Sequence, residues 1–203
     1  MKKILKRIAL CACLSGCIWA WGLISDYQTV KNEILRLHVV ADSDSPEDQA
    51  IKLKVRDAVL ESIRADLEDV HDIEQAKTYI RQQLPKIEQA ANDMLTALGC
   101  EDRAVATFRE EVFGTREYDT FSLPAGIYEA LRITIGSGEG QNWWCVTFPS
   151  LCVPATAEGF EEAAVSAGFS ETLTDTLEGE YEIRFYLLDL LGKLDGFFRK
   201  GEN

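Results

Sequence analysis

Leu35, Leu37 and Val39 alternate with Arg36, His38 and Val40. That two-residue period predicts a strand with one face in the core and the other toward solvent. The run gives way to Ala41-Asp42-Ser43-Asp44-Ser45-Pro46-Glu47-Asp48, where the period changes. Ser45 suits a helix N-cap, Pro46 the first helical position and Asp48 the capping-box acid. Ile51, Val55, Ala58, Val59 and Ile63 then share one helical stripe. Asp72 with Gln75 marks a second helix start, with Ile73, Ala76, Ile80 and Leu84 as its stripe, continued by Ile87, Ala91, Met94, Leu95 and Leu98. Pro85 has no amide hydrogen to donate and predicts a kink or a fresh start there, and Gly99 predicts the stop.

The middle of the chain changes to strand-like runs at residues 104–113, 117–123, 127–135 and 142–148. Three glycines within 136–140 predict a hairpin turn that folds 142–148 back as the antiparallel neighbour of 127–135. A short helix is expected over 157–167. Ile183, Leu187, Leu190, Leu191, Leu194, Phe197 and Phe198 form the wide stripe of a last helix. Strand, helices, several strands and helix predict an α+β class: a single domain with an antiparallel sheet packed by amphipathic helices.

The N-terminus carries a different signal. Lys2, Lys3, Lys6 and Arg7 precede a run from Ile8 to Ser25 without a charged residue. That pattern predicts an inside N-terminus, with residues 1–25 a signal peptide or membrane anchor and 26–203 an extracytoplasmic domain. Three fates stay open. Ala20-Trp21-Gly22 offers a signal-peptidase site, Leu14-Ser15-Gly16-Cys17 matches a lipobox that would lipidate Cys17, and the apolar run continues past both as an uncleaved anchor would.

Charge narrows the partners. The chain carries −13 and its first 25 residues +4, so the remainder carries −17. Nucleic-acid binding through clustered Lys and Arg is excluded, and the domain as a whole is repelled by anionic lipid. The acidity favours a protein partner. Of six cysteines, Cys11, Cys13 and Cys17 lie in the export segment, which leaves Cys100, Cys145 and Cys152. With no CxxC spacing and only two histidines, neither a metal site nor a cofactor is expected.

The stretch Asn142-Trp143-Trp144-Cys145-Val146-Thr147-Phe148-Pro149-Ser150-Leu151-Cys152 poses the chemical question. Cys145 as a hydrolytic nucleophile needs a base, and His38 is the strand residue that could face it. Against that, Cys145 sits on a strand rather than at a helix N-terminus, and a cross-strand structural histidine accounts for His38. Cys145 and Cys152 either close a disulfide ring or remain two buried thiols. Trp143 and Trp144 point to opposite faces, so one is core and the other is a candidate contact. Asp42, Asp44, Glu47 and Asp48 lack the glycine and closing glutamate of an EF-hand, and serve the helix start instead. No Ser-His-Asp spacing or paired-carboxylate signature stands out.

Two long ordered runs carry more. Leu35-Arg36-Leu37-His38-Val39-Val40-Ala41-Asp42-Ser43-Asp44-Ser45-Pro46-Glu47-Asp48-Gln49-Ala50 with Lys52-Leu53-Lys54-Val55-Arg56-Asp57-Ala58-Val59, and Leu123-Pro124-Ala125-Gly126-Ile127-Tyr128-Glu129-Ala130-Leu131-Arg132 followed by the glycine turn and Asn142–Cys152, closely resemble the stage II sporulation protein R family. The resemblance implies a signal made in the forespore and exported into the space between the two septal membranes. There it would activate a membrane-embedded aspartic protease of the mother cell, which removes the pro-sequence of the early mother-cell sigma factor. Such a chain is no enzyme itself. Its membrane tie, if any, is the N-terminal segment. Where the family usually has His, this chain has Gln141; Asp42 replaces an Asn and Ser150 a second Pro. His38, Asp42, Asp44, Trp143 and Trp144 are the candidate partner-binding residues. The alternative is an extracytoplasmic hydrolase using Cys145 and His38.

Overall fold

A computed structural model describes residues 2–67, 70, 72–118, 121–148, 169, 171–178 and 183–200. The elements are α1 (Lys2–Glu33), β1 (Leu35–Val40), α2 (Pro46–Leu67), α3 (Ile73–Ala97), β2 (Ala104–Phe113), β3 (Arg116–Glu117), β4 (Ser122–Leu123), β5 (Gly126–Ile135), β6 (Asn142–Phe148), α4 (Glu171–Glu178) and α5 (Ile183–Lys200). The helix expected over 157–167 lies outside the described residues.

The class is α+β, and the sheet is mixed. Its strands are ordered β2-β5-β1-β6. β2 with β5 and β1 with β6 run antiparallel, while β1 and β5 run parallel, His38 facing Arg132. The expected β5–β6 hairpin is therefore corrected. The glycine turn carries the chain over the end of β1, and β6 pairs with β1, with Leu37 opposite Cys145 and His38 opposite Trp144. A parallel partner recruited from far along the chain leaves no local trace, so the turn looks like a hairpin from sequence. The strand expected over 117–123 resolves into the small β3–β4 pair, closed by Tyr118 N–H donating to the Phe121 carbonyl at 2.8 Å.

Helices cover both faces of the sheet. On the first, Leu35, Leu37, Val39, Leu131, Ile133, Ile135 and Cys145 pack against Val55, Val59 and Ile63 of α2 and Ala76, Ile80, Ile87, Ala91 and Leu95 of α3. On the second, Phe113, Tyr128, Ala130 and Val146 pack against Leu23, Tyr27 and Val30 of α1, Leu173 and Leu177 of α4 and Leu188 of α5. All six residues of β1 are buried. The half-exposed reading of that strand is corrected, because sequence period reports the chemistry of a face and not whether another layer lies on it.

Local signals place the helix ends. Ser45 Oγ accepts the Asp48 amide at 3.1 Å, as an N-cap does. The Asp48 carboxylate bonds the Ser43 hydroxyl, which in turn accepts the Ser45 amide at 3.1 Å. The return arm of the capping box thus passes through Ser43. Asp72 caps α3 by accepting the Gln75 amide at 2.8 Å. α3 runs unbroken through Pro85, without the fresh start expected there. It ends at Gly99, φ +71°, with Cys100 N–H donating to Leu95 O and Gly99 N–H to Thr96 O. Those are the two bonds of a Schellman motif. α1 does not stop at residue 25: it continues to Glu33, with Tyr27 and Val30 in the second core.

Candidate functional site

The two segments singled out from sequence, residues 38–48 and 143–152, lie side by side in the sheet as far as the second is described, to Phe148, with the glycine turn at their end. Asp42 binds the glycine turn from below. Its Oδ1 accepts the Ser137 amide at 2.5 Å, and its carbonyl accepts Ser137 Oγ and the Glu139 amide, each at 3.0 Å. Asp44 Oδ1 accepts the Gln141 amide at 2.7 Å. Gly136 sits at φ +55°, where a Cβ would lie 2.2 Å from Asp42 Oδ1, so glycine is required by both backbone and space. Lys52 of α2 reaches the Gln141 carbonyl at 3.0 Å. Burial pushes that ammonium below the ordinary lysine value, and nearby Asp44 offsets part of the shift.

Asp42 and Asp44 therefore build the turn before they can touch anything else. Asp42→Ala is expected to lower unfolding free energy by about 1–2 kcal/mol, the worth of the one charge-assisted bond from the Ser137 amide to its carboxylate, since the backbone carbonyl bonds remain. Urea denaturation checks it, and an unchanged midpoint would show the carboxylate to be ornamental to the turn.

Beside this turn the two tryptophans part. Trp143 keeps 38% of its surface exposed, and its ring lies against Arg56 of α2, whose guanidinium carbon is 4.3 Å from the ring centroid. Trp144 faces the second layer. It stacks on His38 at 4.8 Å, meets Phe113 edge-on at 5.0 Å and carries the Arg116 guanidinium at 4.5 Å. Sequence alone cannot rank them, because strand period makes both equally eligible. Arg56, the eleventh residue of α2, is the partner that holds the Trp143 ring.

Beneath Trp144 lies a polar cluster that sequence reasoning missed except for His38. His38 is 2% exposed, and its Nε2 lies 2.6 Å from Glu111 Oε2. Burial pushes the Glu111 carboxyl up, but His38 together with Arg109 and Arg132 pulls it down to about 2. Arg36 is wholly buried; Nη2 donates to Tyr118 Oη at 2.8 Å, and the guanidinium lies 4.1 Å from the Phe113 centroid. Burial lowers its pKa, with the Tyr118 and Tyr128 hydroxyls acting the other way. Ring faces hold the Arg36 and Arg116 guanidiniums under the second helical layer, with His38 buried and Trp144 half-buried beside them.

The alternative pairing of Cys145 with His38 is corrected by this geometry. Cys145 belongs to the core against α2 and α3, whereas His38 projects into the layer with Phe113 and Trp144. The sheet stands between them. Cys145 is moreover disulfide-bonded, so its sulfur is no thiolate. Cys152 lies outside the described residues, as does the rest of the stretch after Phe148; Cys17 is exposed on α1 and free. Among the described residues no group of three His, Cys, Asp or Glu side chains is placed to hold a metal ion. α1 is the one described helix long and apolar enough to cross a membrane.

The family model for stage II sporulation protein R matches residues 31–158, from the last turn of α1 past β6. Stage II sporulation protein R of Bacillus subtilis (strain 168) is 40% identical over 123 residues, 61% of this chain and 55% of that protein's length. The chain thus spans about half the length of that relative. No solved structure matches.

Proposed function

The chain belongs to the stage II sporulation protein R family, and from that premise we propose that it is an exported forespore signal. It activates a membrane-embedded aspartic protease of the mother cell, which then processes the pro-sigma factor of that cell. The observation that carries the reading is the family match, and two features of the molecule support it. The uncharged N-terminal part of α1 fits a signal or anchor segment. A disulfide at Cys145 fits an oxidising compartment outside the cytoplasm.

The contact surface we assign is the end of the sheet where the glycine turn, Asp44 and Trp143 lie together. Trp143 is the exposed aromatic of that end, half-rigid on Arg56, which is the character of an interface anchor. The chain would be co-expressed with the membrane protease and the sigma-factor precursor in a non-sporulating host. Precursor cleavage that requires this chain supports the function; cleavage without it, or none with it, overturns the reading. Trp143→Ala is expected to cut cleavage at least ~10-fold, in line with about 2 kcal/mol for an anchor aromatic, in a protein that still unfolds cooperatively. Full cleavage by that variant would move the contact surface elsewhere while leaving the activator role intact.

A further inference from the structure

α5 has two apolar faces, and among the described residues only one is packed. Phe185, Leu187, Leu188 and Leu191 pack into the second core. Ile183, Tyr186, Leu190, Leu194 and Phe197 recur every three or four residues on the opposite side, and Ile183, Tyr186 and Phe197 keep 78%, 65% and 75% of their surface. Stripes of this length on a soluble helix call for an occupant.

Charge and placement say which. α5 carries Arg184, Lys193, Arg199 and Lys200 against Asp189 and Asp195, a net +2 on a domain of −17. Both acids are turned inward and held: Asp189 accepts from Thr115 Oγ1 at 2.6 Å and the Ala125 amide at 2.7 Å, and Asp195 from Lys31 at 3.1 Å and Tyr27 Oη at 3.2 Å. The exposed stripe therefore holds no carboxylate. Its position follows from the same contacts. Arg184 pairs with Asp26 and Asp195 with Lys31. These pairs tie α5 to the part of α1 directly after Ser25, where the uncharged run ends.

We propose that the exposed face of α5, centred on Tyr186, Leu190, Leu194 and Phe197, docks on the surface of the bilayer that α1 enters. A helix tied to the exit of an anchor segment, apolar on its free side, meets the boundary of headgroups and acyl chains. Arg184 is paired with Asp26 and Lys193 with Asp189, so the surplus positive charge that favours anionic lipid is that of Arg199 and Lys200.

The test is photo-crosslinking of the full chain in vesicles of phosphatidylcholine and phosphatidylglycerol, with benzoylphenylalanine in place of Tyr186, of Phe197, or of Leu98. Leu98 is 44% exposed at the end of α3, on the helical layer across the sheet. Peptides carrying lipid mass are expected from positions 186 and 197, at least tenfold above position 98. Crosslinks from 186 and 197 to a second copy of the chain would overturn the proposal in favour of self-association. Equal lipid labelling at all three positions, or none at any, would overturn it as well.

Discussion

Gly192→Ala is expected to cost about 3 kcal/mol or more and to detach α5 from the sheet. A Cβ at Gly192 would lie 1.5 Å from the Ala125 carbonyl oxygen, 2.4 Å from its carbon and 3.1 Å from the Gly126 nitrogen. All three are backbone atoms at the entrance to β5, and no side-chain rotation relieves the clash. α5 would have to withdraw, and the Asp189 carboxylate would go with it. Burial alone would push that carboxyl up, but the Ala125 amide, Lys193 and Thr115 together hold it below its ordinary range. Withdrawal breaks the bonds from Thr115 and the Ala125 amide, which is left without its acceptor, while the Lys193 pair moves with the helix. Gly196→Ala is the control, because its Cβ would meet only Val112 Cγ1, at 3.2 Å. Denaturation midpoints of the two variants separate the effects. A Gly192→Ala protein as stable as the parent would mean that α5 does not seat on β5 as described.

The elements were legible where their cause is local. β1, β2, β5 and β6 follow from period-two runs, and α2 and α3 from Ser45, Asp72 and their apolar stripes. Strand order was not legible. β1 enters between β5 and β6 by a parallel pairing between residues about ninety positions apart, and no local pattern encodes such a partner. For the same reason Arg36 and His38 look like solvent-facing residues. The layer that buries them comes from the tail of α1 and from α4 and α5, at the two ends of the chain. The candidate site was legible as two segments and not as one place. Hydrogen bonds from the 136–141 turn to Asp42 and Asp44 join them, and whether Trp143 or Trp144 is exposed depends on Arg56 and His38, each on a different element.

The pairing of His38 with Glu111 ties β1 to β2 across β5, and it makes the stability of the domain depend on acid pH with a definite sign. Glu111→Ala is expected to destabilise by about 3 kcal/mol, because it leaves a buried imidazole whose Nδ1 has no partner among the described residues and whose Nε2 then has no carboxylate. Glu111→Gln keeps a neutral acceptor and should cost less. The Glu111 carboxyl titrates near 2 in the folded chain and near its ordinary value of 4.5 when unfolded. A depressed folded value means that the stabilisation is complete above about pH 4.5 and is lost as pH falls toward 2. Screening at this partly open site leaves on the order of 2 kcal/mol of it. Urea midpoints measured from pH 5 down to pH 2 should therefore show the parent's advantage over Glu111→Gln shrinking below about pH 4.5. An advantage that stays flat through that window would mean the carboxylate is not the charged partner of His38. Trp144, stacked on that imidazole, would then owe its position to Phe113 and Arg116 alone.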